Sequence, residues 1–251
     1  MYDDFSIDYD RFVNWPQRLS AELPFIERQL EAVQARRVLD AACGTGQHAI
    51  ALAGRGYELA GADLSVGMIE RAQSNATAAG AKVRWQAAGF GDLRSEVGND
   101  FDAVLCLGNS LPHVLTADDL SLTLSDFAAC LQPGGLLLIQ NRNFDRVLAG
   151  QERWMQSQSH REGQQEWVFL RFYDFQRQGT LLFTVVTLYR DGTDEWVQRE
   201  VSTQLWPQQQ HEVTAALGAA GFDGITCYGN MTGAPFDAKE SPNLVVRAQR
   251  T

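Results

Sequence analysis

The sequence predicts an α/β fold: a doubly wound, mainly parallel sheet of seven strands with helices on both faces, interrupted by an inserted antiparallel meander. Three observations predict it. Short apolar runs alternate with helix-like segments between residues 36 and 140, the pattern of repeated βαβ units. The first run ends in Asp40 and enters the turn Ala41-Ala42-Cys43-Gly44-Thr45-Gly46, with a second acid, Asp63, nineteen positions beyond Gly44. After residue 165 the pattern changes to long strand-like runs joined by short turns.

Residues 1–35 are aromatic and amphipathic, with Tyr2, Phe5, Tyr9, Phe12 and Trp15 followed by Leu19, Leu23, Phe25, Ile26 and Leu30. The second half reads as a helix that packs on the sheet, with Pro16 tolerated in its first turn. In the first half Tyr2 and Tyr9 either pack or form a lid over a ligand, with Arg18 reaching inward. Residues 38–40 are strand one. Gly44 and Gly46 permit a sharp turn and close approach of a ligand to the backbone. A helix over 49–53 ends at Gly54 and Gly56, and strand two, 57–62, delivers Asp63 to its tip.

Ser65 caps a helix that runs through Met68, Ile69, Ala72 and Ala76 to Gly80. Strand three, 82–87, leads to Gly89-Phe90. Strand four, 101–107, leads to Gly108-Asn109-Ser110-Leu111-Pro112-His113. A helix over 117–131, a turn at 133–135 and strand five at 136–140 follow. Residues 150–165 are polar and glutamine-rich and read as a mobile loop. Runs at 167–175, 180–190 and 195–205 form the meander. A helix at 208–220 and strands at 222–228 and 243–249 complete the sheet. The expected division is one domain from 1–165 and 206–251, with 166–205 an inserted, substrate-covering subdomain.

The chain has 251 residues and a net charge of −10, from 31 acidic against 21 basic residues. Lys82 and Lys239 are the only lysines. An acidic chain without a basic stripe argues against nucleic acid as a partner. Cys43, Cys106, Cys130 and Cys227 lie far apart in apolar contexts and read as reduced thiols, with no metal-ligand cluster. The acidic start is unlike a signal peptide, and no apolar run reaches membrane-spanning length. The expectation is a soluble cytoplasmic protein acting on a small molecule.

The glycine turn has two readings with a ligand and one without. A dinucleotide fingerprint tolerates Ala49 as its third small residue. An acid at Asp40, however, opposes a pyrophosphate and suits a cation. Asp63 then stands where a carboxylate accepts hydrogen bonds from both hydroxyls of a ribose. A plain βα turn needs neither acid.

Four separated stretches resemble the motifs of class I S-adenosylmethionine-dependent methyltransferases. They are the Asp40 to Gly46 turn, Asp63, Phe101-Asp102-Ala103-Val104-Leu105-Cys106-Leu107-Gly108-Asn109-Ser110, and Gly134-Gly135-Leu136-Leu137-Leu138-Ile139. Within that superfamily, the 106–110 motif with His113, then Arg142-Asn143-Phe144-Asp145, is similar to the glycine and glycine/sarcosine N-methyltransferases. The resemblance implies a Rossmann-like methyltransferase fold and S-adenosylmethionine as cofactor, with S-adenosylhomocysteine as product. It implies N-methylation of a small, carboxylate-bearing amine, and it allows a homo-oligomer. Arg18 would hold the cofactor carboxylate. Ala42, Gly44 and Gly46 would hold its methionine part, beside Asp40, and Asp63 its ribose. Gly89 and Phe90 would border the adenine, and Leu107 and His113 the methionine end. Tyr9, Leu64 and Met68 join the cofactor set. Asn109, Arg142 and Tyr173 would hold the acceptor.

Several of these residues have structural readings too. Arg142 could pair with Asp145, Asn109 could simply form a turn, and His113 could pack. His48, His160 and His211 read as structural or exposed. Tyr2 is a candidate match to a substrate tyrosine of the animal glycine enzyme. The family often places an acid or amide where Gly89 stands. Two alternatives share the scaffold: a small-molecule O-methyltransferase, and a non-catalytic module that binds the cofactor.

Overall fold

A four-residue strand, β1 (Arg37–Asp40), is the axis of the molecule. It pairs in parallel with β2 (Glu58–Asp63) on one side and β4 (Phe101–Cys106) on the other, and Val38 and Leu39 are wholly buried. The computed structural model describes residues 8–251. Tyr2 and Phe5 lie outside the described residues. β3 (Val83–Ala87) pairs with β2, and β5 (Leu131–Arg142) pairs with β4, all in parallel. β11 (Asn243–Arg250) and β10 (Phe222–Tyr228) extend the sheet antiparallel, giving the order β10-β11-β5-β4-β1-β2-β3. Strand order reverses between β1 and β4, so the crevice at their carboxyl ends is where such a sheet receives ligands.

The helices form where caps and apolar spacing allow. α1 (Trp15–Ala32) starts at Asn14, whose side chain accepts from Gln17 N. α2 (Gln47–Ala53) starts at Gly46. α3 (Val66–Ala79) is capped by Ser65, which accepts from Met68 N, and stops at left-handed Gly80. α4 (Leu93–Glu96) is a single turn. α5 (Ala117–Cys130) is capped by Thr116 and carries Asp118 and Asp119 in its first turn, where they complement the helix dipole. α6 (Phe144–Gly150) leads out of the sheet, and α7 (Gln210–Ala219) leads back to it. α1 and α2 cover one face, with Phe25, Ile26, Leu30, Ala49 and Leu52 in the core. α5 and α7 cover the other, with Leu124, Phe127, Val213 and Leu217.

The meander is a separate four-stranded sheet, β6 (Gln158–Glu162), β7 (Gln165–Phe175), β8 (Leu181–Asp191) and β9 (Val197–Leu205), all antiparallel. The expectation of a mobile loop over 150–165 fails at β6. Gly163, at φ +59°, lets the chain turn back, and His160 pairs with Trp167. The polar composition that suggested a loop suits an edge strand. The second sheet therefore begins at Gln158, one strand ahead of the expected first run at 167–175. Strand five is also longer than expected. Phe101 pairs with Leu131 and Ala103 with Leu136, so residues 132–135 bulge out of register, with Gln132 Nε2 bonded to Asp102 Oδ1 at 2.6 Å.

Residues 8–12 form a helical turn that bridges the two sheets. Asp10 accepts from Thr45 Oγ1 at 2.6 Å, Trp15 Nε1 at 2.9 Å, Asn75 Nδ2 at 3.0 Å and Arg71 Nε at 3.2 Å. On the other side Arg11 binds Glu162 and lies 4.5 Å over the Trp167 ring, and Phe12 meets Phe169 edge-on at 5.5 Å. One short segment thus spans the crevice above the carboxyl ends of the parallel strands.

Candidate active site

The glycine turn is built so tightly that no side chain fits at Gly46. Gly44 and Gly46 have φ of +54° and +81°. A Cβ on Gly46 would stand 2.5 Å from the Trp85 ring and 2.9 Å from Ala72 Cβ. Asp63 holds the turn against β2: its Oδ2 accepts from Gly44 N and its Oδ1 from Ser65 N, both at 2.9 Å. An ionised carboxylate only accepts, through two oxygens with about four lone-pair sites. Asp40, below the turn, is 2% exposed. Burial, and then the neighbouring Asp63, push its carboxyl up to about 7, against the opposing charge of Arg18 and a hydrogen bond from the Ala42 backbone.

Arg18 emerges from α1 beneath Gly108 and is held by a buried network. Its Nε donates to Glu22 Oε2 at 3.1 Å and its Nη2 to Gln140 Oε1 at 3.2 Å. Gln140 also accepts from Gly108 N at 3.1 Å and donates to Glu22 Oε1 at 2.9 Å. His48 Nε2 lies 2.8 Å from Glu22 Oε2. Burial raises the Glu22 carboxyl, but the donors from His48, Arg18 and Gln140 outweigh it and hold it well below the usual carboxylate range. Burial lowers His48, which is therefore neutral at neutral pH and donates from Nε2. The cluster fixes a guanidinium at the end of β4 without leaving a buried charge unpaired.

Between this network and the second sheet lies a cavity of about 330 Å³, and Tyr9, Arg18, Asn109, His113, Arg142 and Tyr173 all line it. Asn109 adopts φ +69°, and its Oδ1 accepts from Arg142 N at 2.9 Å. It thus both forms the turn and positions Arg142. Arg142 does not pair with Asp145, which bonds Gln209 and Gln210 instead. Its Nη2 stands 3.7 Å from Glu152, a carboxylate that binds Arg146 more closely at 2.7 Å. Burial raises the Tyr173 phenol to about 12 and raises Tyr9 as well, so both are protonated donors at neutral pH. Burial lowers His113 to about 4, leaving it neutral.

The remaining candidates surround the turn or sit beneath it. Ala42 lies within it. Leu64 is 80% exposed beside Gly89, where a Cβ would come within 3.1 Å of it. Met68 and Leu107 are buried, at 1% and 4% exposure, and act as floor. Phe90 turns its ring edge-on to Phe127 at 5.3 Å and joins the core. Its loop is anchored by buried Asp126, which accepts from the backbones of Gly91, Leu93 and Arg94 at 2.9 Å.

Sequence reasoning missed Asp10, Glu22, Trp85, Gln140, Asn141 and Arg171. Two had a signal. Glu22 stands four positions after Arg18, the spacing of a helical ion pair. Arg171 is the charged member of the alternation Trp167, Phe169, Arg171, Tyr173, Phe175 on one strand face. A larger hollow of about 830 Å³ opens between Lys82, Arg84 and residues 97–101. It lies at the amino ends of the strands, away from the crevice, and has no part in this site.

The residues present fit S-adenosylmethionine. The turn leaves no room for a side chain at Gly46, Asp63 presents a carboxylate at the next strand tip, and Asp40 places an acid where a cation is favoured. Comparison with known proteins agrees. A family model described as a methyltransferase domain matches residues 38–135. The chain is 38% identical over 148 residues to a glycine/sarcosine N-methyltransferase of Parasynechococcus marenigrum (strain WH8102), covering 59% of this chain and 52% of that protein. It is 37% identical over 124 residues to the glycine N-methyltransferase of Rattus norvegicus, covering 45% of this chain and 42% of that one. The chain thus spans about half the length of the curated relatives it matches. An S-adenosylmethionine-dependent methyltransferase from Clostridium acetobutylicum ATCC 824 superposes with a TM-score of 0.80 at 16% identity, over 99% of this chain and 98% of that one. Residues 38–135 thus match a methyltransferase domain, the chain has the fold of class I S-adenosylmethionine-dependent methyltransferases, and it is similar to the glycine and glycine/sarcosine N-methyltransferases.

Proposed function

We propose that the protein transfers a methyl group from S-adenosylmethionine to the nitrogen of a small, glycine-like amine bearing a carboxylate. The observation that carries this reading is Arg142, placed by Asn109 in a cavity between the two sheets and directly beside the cofactor crevice. The similarity to glycine and glycine/sarcosine N-methyltransferases supports it. The inserted sheet acts as a subdomain that covers the acceptor. A cytoplasmic location belongs to the same reading, supported by four free cysteine thiols.

When bound, S-adenosylmethionine supplies an electrophilic methyl carbon and leaves as a neutral thioether. The protein's own residues then align, desolvate and select. Ala42, Gly44 and Gly46 would hold the methionine part and Asp63 the ribose, and Arg18 would present a fixed guanidinium to the cofactor carboxylate. Arg142 holds the acceptor's carboxylate in one plane. Tyr9 and Tyr173 donate hydrogen bonds from protonated phenols. The guanidinium charge beside the acceptor lowers the pKa of its ammonium, so the reactive neutral amine forms more readily and its proton passes to water.

Steady-state kinetics on Arg142 variants test this reading. Arg142→Ala raises the acceptor KM about ten- to a hundredfold, the size of one charged hydrogen-bonding partner, while the cofactor Kd stays within about threefold. Arg142→Lys recovers only part, because an ammonium cannot hold both carboxylate oxygens in one plane. Equal loss of cofactor binding and acceptor kinetics would assign Arg142 to the cofactor or to the fold.

A further inference from the structure

We propose that Arg171 and Asn141 complete the acceptor subsite: Arg171 brings a second guanidinium to the acceptor's carboxylate from the inserted sheet, and the Asn141 carboxamide orients its amine. The inference rests on the proposed function above and extends it to residues that carry no assigned role.

Orphaned polar atoms point to the subsite. Among the described residues, seven buried side-chain nitrogen or oxygen atoms lack a hydrogen-bond partner. Four of them, Asn141 Nδ2, Asn141 Oδ1, Arg142 Nε and Arg171 Nε, belong to residues that line this one cavity. Asn141 is 1% exposed, so water does not satisfy it from the surface. Buried polar groups are almost always paired, and a carboxamide with both ends unpaired is expensive unless a ligand completes it. Its two ends offer what an amino acid needs, an acceptor for an N–H and a donor for an oxygen or nitrogen lone pair.

Arg171 is held in place without being neutralised. Its guanidinium lies 4.8 Å over the Phe12 ring and donates from Nη2 to Gln156 O at 3.3 Å. Among the described residues no carboxylate forms an ion pair with it, whereas Arg142 at least shares Glu152 with Arg146. Burial and then the positive charge of Arg142 lower its affinity for a proton, which places the two guanidiniums in each other's field. Two cations from different sheets, each with an unpartnered Nε on one cavity, form an anion site. A single carboxylate between them satisfies both and removes their repulsion. Phe12 ties the arrangement to the 8–12 segment that also carries Tyr9.

The test uses matched acceptor pairs, glycine with glycinamide and sarcosine with its amide. Each is measured by steady-state kinetics and by calorimetric titration in the presence of S-adenosylhomocysteine. Arg171→Gln is expected to raise KM and Kd for the acids about tenfold or more, the scale of a lost charged hydrogen bond, and to leave the amides within about threefold. Arg171→Lys recovers part. Asn141→Leu removes two unpaired polar atoms at nearly constant volume, so its melting temperature stays level or rises, while kcat on the acids falls about tenfold. If Asn141→Leu melts lower with unchanged kcat, Asn141 is structural and the assignment fails. If Arg171→Gln weakens acids and amides alike, Arg171 shapes the cavity rather than reading a carboxylate, and that half fails. If the wild-type protein shows no preference for the acids, the carboxylate reading falls and takes the subsite with it. A wild-type preference that neither variant changes leaves the proposed function standing and overturns this inference alone.

Discussion

Asp40 shows how one buried carboxyl can report on a ligand's charge. Its pKa of about 7 arises from burial and from Asp63 nearby. Through the range below 7 the unfolded chain ionises this group while the folded protein does not, so its contribution to stability falls as pH rises and levels off above 7. A cation bound beside it favours the ionised form. Binding of S-adenosylmethionine is therefore expected to strengthen about tenfold between pH 6 and pH 8, the proton-release factor for a group titrating at 7. Asp40→Asn abolishes that slope. Calorimetry across the pH range decides it, and an unchanged slope in the variant would move the titration to another group. At this scale the sequence foretold position at the strand ends: Asp40, Asp63 and Arg142 end β1, β2 and β5, and Asn109 follows β4. It was less legible where the role depends on a partner distant in the chain. Gln140 meets Arg18 and Glu22 across 122 and 118 positions, and no local pattern announces it.

The β2–β3 pair explains why the crevice keeps its shape. Gly61 and Trp85 are register partners on neighbouring strands, and the indole lies across Gly61 and Gly46. A Cβ on Gly61 would stand 2.3 Å from the ring. Gly61 has no left-handed backbone requirement, so replacing it tests the collision alone. Gly61→Ala should destabilise the protein by about 1–3 kcal/mol through overpacking, and Gly61→Ala with Trp85→Leu should be less destabilised than the sum of the two single changes. Denaturant unfolding of the three variants measures it, and simple additivity would separate the two residues. Strands and helices with clear periodicity were readable in advance, including all seven strands of the main sheet. β6 was not, because an edge strand of polar residues looks like a loop until its pairing with β7 is seen. The extension of β5 was masked by Pro133-Gly134-Gly135, which reads as a turn but forms a bulge.

The described residues form two sheets with a cavity between them, closed by residues 8–12. Each half supplies what the other lacks. The parallel sheet brings the glycine turn, Asp63 and Arg142, and the antiparallel sheet brings Arg171 and Tyr173. The doubly wound, mainly parallel character of the main sheet followed from the alternation of strands and helices. The way the second sheet meets it did not, since Asp10, Arg11 and Phe12 act through contacts with Thr45, Glu162 and Phe169 far along the chain. The central claim is methyl transfer to the nitrogen of a carboxylate-bearing amine. Its most direct test is incubation with S-adenosylmethionine carrying a carbon-13 methyl group, together with glycine, sarcosine and amines without a carboxylate, followed by mass spectrometry and NMR of the products. The account predicts label on the nitrogen of the carboxylate-bearing amines, with an equal amount of S-adenosylhomocysteine. Label on an oxygen, label only on amines without a carboxylate, or no transfer by a protein that binds the donor would contradict it.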